Sequence, residues 1–109
     1  MTITSLPAAI YSSFGNDPDL GDLVEEFVQE IPNRIAVLRS AFEDRDADTL
    51  RRTAHQLKGA AGSYGFDQLT PYSAALELSV IESRPEDEIQ RALQALIDIC
   101  GCMRAGVPG

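Results

Sequence analysis

Asp46-Ala47-Asp48-Thr49-Leu50-Arg51-Arg52-Thr53-Ala54-His55-Gln56-Leu57-Lys58-Gly59-Ala60-Ala61-Gly62 carries the pattern from which the architecture can be read. Asp46 or Asp48 is placed to cap a helix. Leu50, Ala54, Leu57, Ala61 and Tyr64 then recur at spacings of three and four, the apolar stripe of an amphipathic helix. Tyr64-Gly65-Phe66-Asp67 ends it. Gly65 suits the left-handed residue just past a helix terminus, and Asp67 suits the cap of the next helix.

Upstream, Asp17-Pro18 reads as a cap followed by proline in the first turn. Leu20, Leu23, Val24, Phe27, Ile31, Ile35, Leu38 and Phe42 follow in helical phase. Pro32 removes one backbone hydrogen bond, but the stripe keeps its phase across it, which predicts one kinked helix rather than two. Downstream, Leu69, Tyr72, Leu76 and Val80 form a third stripe, with Pro71 tolerable in the first turn. Ser83-Arg84-Pro85-Glu86-Asp87-Glu88 is a turn and a helix start whose acids favour the helix dipole. Ile89, Leu93, Leu96, Ile97, Cys100 and Met103 form a fourth stripe. No stretch shows the sustained alternation of a strand. The expected fold is all-α: an antiparallel four-helix bundle over residues 18–105, with a partly ordered lead-in over 1–17 holding a short helix near Leu6 to Tyr11, and a frayed tail over 106–109.

At 109 residues the chain has room for one core and no large enzyme. Its seventeen acids against nine bases, net −8, argue against nucleic acid or anionic lipid as partner. Six of the nine bases are Arg34, Arg39, Arg45, Arg51, Arg52 and Lys58, so an acidic molecule carries a local basic patch around its single histidine. No stretch approaches the roughly 18 apolar residues of a membrane span, and no secretory leader is visible, so a cytoplasmic location is expected. Cys100 and Cys102 form a lone C-x-C with one histidine in the whole chain, too little for a metal site. Met1 and the glycine-containing end fit a complete small protein, the other option being a piece of a larger kinase.

His55 lies about 140° from the centre of its helix's apolar stripe, so its ring faces outward. Arg51, Lys58 and Gly62 fall beside it, with Gly59 and Arg52 a little further round. Each glycine costs about 1 kcal/mol relative to alanine inside a helix. Two of them on the face of an outward histidine leave room for a large partner to approach the ring. A neutral imidazole can attack phosphorus and hold a phosphoryl group, and nearby cations can pair with its oxygens. The chain has no phosphate-cradling loop or nucleotide motif, so the group must arrive from another protein.

Ala54-His55-Gln56-Leu57-Lys58-Gly59-Ala60-Ala61-Gly62-Ser63-Tyr64-Gly65-Phe66 closely resembles the signature of histidine-containing phosphotransfer (HPt) domains: H-x-L-K-G, small residues, then an aromatic-Gly-Phe turn. The resemblance implies that His55 is the phosphoacceptor, that Lys58 steadies the phosphoryl group, and that Gly59 gives a receiver domain room to dock, with Arg51, Arg52 and Gly62 on the binding face. It also points to Glu77, on the following helix, as an orienter of the imidazole, the alternative being a solvated glutamate. The implied partners are response-regulator receiver domains and a sensor or hybrid histidine kinase, met by a monomer. No cofactor is expected in this chain, and Mg²⁺ is expected in the receiver. The competing reading is an adaptor or inhibitor bundle that binds a kinase or receiver without carrying phosphate.

Overall fold

The computed structural model describes residues 6–108. Helix α1 spans Gly21–Glu43, α2 Ala47–Ser63, α3 Thr70–Ile81 and α4 Glu86–Cys100, packed as an antiparallel bundle. A single 3₁₀ turn, Asp67–Leu69, leads into α3. Two short strands, β1 at Ile10–Tyr11 and β2 at Met103–Arg104, pair in parallel. None of these helices is long and apolar enough to cross a membrane.

Helix α1 runs unbroken for 23 residues through Pro32. Asp17 is not its N-cap, which is Leu20; its Oδ1 instead closes the turn before the helix, accepting from the amides of Asp19 and Leu20 at 2.7 and 3.0 Å. Regular helix begins only at Gly21, because Pro18–Leu20 forms a turn first. Asp46 is the cap of α2, accepting from Thr49 N–H at 3.1 Å and Thr49 Oγ1 at 2.6 Å. Those two bonds hold its carboxyl below the usual carboxylate range.

Three helix ends share one solution. After α2, Gly65 has φ of +79°, its N–H reaches Gly62 O at 3.3 Å, and Phe66 N–H reaches Ala61 O at 2.8 Å. This is the paired 5→2 and 6→1 bonding of a Schellman terminus. Arg45 after α1 and Ser83 after α3 do the same with φ of 56° and 52°, where a Cβ makes the left-handed conformation costly.

The four stripes meet in one core. Val24, Leu38, Leu57, Phe66, Leu69, Leu76 and Leu96 are fully buried, and the Phe27 ring stacks on Tyr64 with centroids 4.8 Å apart. Four expectations shift. The lead-in near Leu6–Tyr11 is no helix: Ile10–Tyr11 is a strand held by residues about ninety positions away, a pairing that local periodicity cannot report. Met103 leaves the fourth stripe, since α4 stops at Cys100 and Met103 is buried from β2. Asp67 caps nothing with its side chain, because the chain enters α3 through the 3₁₀ turn. Leu23 stays exposed. In the tail, Gly106 packs its carbonyl against Gly15, and Val107 and Pro108 beyond it are exposed. Residues 1–5 of the lead-in and Gly109 of the tail lie outside the described residues.

The lead-in is fastened to the end of α2. Ile10 N–H donates to Cys102 O at 2.7 Å, Ser13 N–H donates to Gly65 O at 3.1 Å, and Ser12 Oγ donates to Tyr64 O. The loop after the acceptor helix is therefore pinned from outside the bundle.

Candidate functional site

His55 projects from the exposed face of α2, its side chain 61% accessible. Its Nδ1 lies 2.7 Å from Glu77 Oε2 on α3. The other carboxylate oxygen, Glu77 Oε1, accepts from Lys58 Nζ, also at 2.7 Å. One carboxylate thus ties together two residues that share a helix face by their i, i+3 spacing. Glu77 is buried, yet the Lys58 bond, with the His55 bond beside it, holds its carboxyl below the usual range against the opposing effect of burial. An ionised carboxylate only accepts, so the proton of the His55–Glu77 bond sits on Nδ1. In the neutral ring the lone pair is then on Nε2.

The surface beside the ring is bare. A Cβ built on Gly59 or on Gly62 meets no atom within 4 Å. Gly62 therefore marks no close helix crossing, and both positions keep side chains off the approach to His55. Arg51 and Arg52 stand one turn before His55, but both pair with Asp48, Arg51 at 3.2 Å and Arg52 more closely. The patch expected from the arginines is thus reduced by one acid, leaving two guanidinium groups against one carboxylate.

Sequence reasoning named the three residues that meet here, His55, Lys58 and Glu77. It missed that Lys58 spends a donor on Glu77. It also missed Leu78 and Ile81, which lie next to Glu77 on α3 and stay 52% and 56% exposed. A signal for them exists in the sequence: Leu76, Leu78, Val80 and Ile81 spread over about 200° of α3, wider than a single core-facing stripe. Between α1 and α2 the surface is mostly polar, with Arg34 stacked over the Phe27 ring at 5.5 Å and its Nε buried without a partner.

The bundle thus carries one outward histidine whose Nδ1 is held by a buried carboxylate. A family model described as "Hpt domain" matches residues 22–102, and the chain belongs to that family. The chain is also similar to the chemotaxis protein CheA of Rhizobium meliloti (strain 1021), at 29% identity over 89 residues. That alignment covers 72% of this chain and 12% of the relative, so the chain spans a small part of the curated protein it matches. No solved structure matches.

Proposed function

We propose that His55 is a phosphocarrier in a two-component phosphorelay, receiving its phosphoryl group from the aspartyl phosphate of one receiver domain and passing it to another. One observation carries this reading: Glu77 fixes Nδ1 from the buried side while Nε2 belongs to a ring on an open face. Nε2 attacks phosphorus, the N–P bond forms, the bond to the aspartate oxygen breaks, and the carboxylate leaves. No proton has to move, because Nδ1–H stays on Glu77, whose charge offsets the cationic ring that results. Lys58 keeps two ammonium donors for phosphoryl oxygens after one has gone to Glu77. Mg²⁺ and the aspartate chemistry belong to the receivers.

Incubation with a phosphorylated receiver and Mg²⁺ is expected to label the chain in an acid-labile, base-stable form. His55→Gln, with its circular dichroism unchanged, is expected to lose that label entirely. Persistent labelling of His55→Gln removes this site from consideration. A stable receiver complex with no phosphohistidine supports the adaptor reading instead.

A further inference from the structure

The seams between neighbouring helices of this bundle are unequal. Helices α2 and α3 pack most closely, whereas α1 and α4 touch least, with an open groove lined by Arg39, Phe42, Gln90, Gln94 and Ile97 between them. In an antiparallel bundle the start of α1 and the end of α4 lie at one pole. There β1, shortly before α1, pairs with β2, just after α4, so the ladder spans the weakest seam. Both strands fall outside residues 22–102, the span that the family model matches. The ladder is thus additional to the matched bundle.

Little holds the lead-in down. Ile10 is buried and Phe14 half-buried against the core, and the bonds that Ile10 N–H, Ser13 N–H and Ser12 Oγ make all run to backbone carbonyls, where water can replace each donor. The elements beneath close themselves without it. The end of α2 keeps its bonds from Gly65 N–H to Gly62 O and from Phe66 N–H to Ala61 O, and the end of α4 keeps Gly101 N–H to Ile97 O and Cys102 N–H to Ile99 O. At the start of α1, Val24 N–H still reaches Leu20 O. The bonds from the lead-in to the α2 side fall on Tyr64 and Gly65, beyond the last residue of that helix and away from His55 and Lys58. We infer that β1 and β2 form a clasp, which closes the α1–α4 seam from outside the bundle and opens as one unit while the four helices and the His55–Lys58–Glu77 site stay folded. Segments with few buried apolar contacts open below the free energy of global unfolding. Opening here gives up the burial of Ile10 and part of that of Phe14, regains chain entropy, and melts no helix. The two states give the chain a structural response at this pole that the acceptor chemistry does not feel.

Amide exchange and NMR on the full chain test this. In the wild-type protein, the protection factors of the Ile10 and Ser13 amides should agree with one another and fall at least about tenfold below those of Leu57 and Leu76, in the core of α2 and α3. Their urea dependence should also be smaller, since less surface is exposed. Equal protection and equal urea dependence at all four amides overturn the proposal, because the lead-in would then leave only with the whole fold. Protection that differs between Ile10 and Ser13 by about tenfold or more overturns it as well, because the segment would fray residue by residue. Ile10→Asp puts a charge in the buried seat and should hold the clasp open. Protection of the Ser13 amide should then be lost, and the methyl signal of Met103, buried from β2, should move to an exposed position. The helical circular dichroism and the ring-nitrogen signals of His55 should keep their wild-type values. Loss of the helical signal or displaced His55 signals in Ile10→Asp overturn the separation of clasp from site, and Ser13 protection that survives this substitution overturns the clasp itself.

Discussion

Helix α2 uses glycine in opposite ways at its middle and at its end. Gly59 and Gly62 have no atom within 4 Å of where a Cβ would stand, whereas a Cβ on Gly65 would lie 2.6 Å from Ser12 Oγ and from Ser13 Oγ and 2.9 Å from the Phe14 ring. At the end, glycine is demanded by the fold: the turn is left-handed and the lead-in presses on it. In the middle the fold gains nothing from it and gives up helix propensity. An empty space that lowers stability points to something outside the molecule, while a filled one explains itself.

The sharpest way to break this contrast is Gly65→Ala. A left-handed alanine costs about 1–2 kcal/mol, and overpacking against the lead-in adds about 1–3 kcal/mol. Urea unfolding should therefore show a loss of about 2–4 kcal/mol, and a loss under about 1 kcal/mol would mean that the turn is not built as described. Gly15 offers a second crowded position, since its Cβ would fall 2.0 Å from Gly106 O. Gly15→Ala should cost about 1–3 kcal/mol, and exchange protection of the Ile10 amide, bonded to Cys102 O, should fall with it. Unchanged protection there would detach the lead-in from the argument.

Beneath the open middle, Glu77 is the one buried charged residue among the described residues, and replacing it sharpens the comparison from below. Glu77→Gln leaves Lys58, one-third exposed, without its carboxylate, for a loss near neutral pH of about 1 kcal/mol after allowance for solvent screening. The carboxyl is held below its ordinary value of 4.5 in the fold. Its contribution is therefore complete above that pH and disappears as pH falls through the lower folded value. Wild type and Glu77→Gln should differ in urea midpoint at pH 7 and converge under acid, and a gap that persists in acid would show that the loss has another cause. The smallest stability effect belongs to Gly59→Gln. It should leave stability equal or raise it by up to about 1 kcal/mol while slowing transfer from a receiver, and an unaltered transfer rate would end the clearance argument.

The four helices were legible because each buries one stripe, and a stripe is a local pattern. Asp46 and Gly65 were legible for the same reason: a cap and a left-handed turn need specific residue types within a few positions. The left-handed turns at Arg45 and Ser83 carry no such mark, since neither residue favours that conformation. The β1–β2 ladder left no trace because two-residue strands have no period and their partners stand at opposite ends of the chain. At the site, His55 and Lys58 could be placed on one face by arithmetic, and Glu77 could be suggested only by resemblance. That a single carboxylate holds both required knowing how α2 and α3 face one another.

The parallel pairing of Ile10–Tyr11 with Met103–Arg104 has a mechanical consequence. Parallel neighbours send the chain in at one end of the ladder and out at the other. Tension between the two termini would load these hydrogen bonds lengthwise, in shear, so that they must fail together before the helices feel the pull.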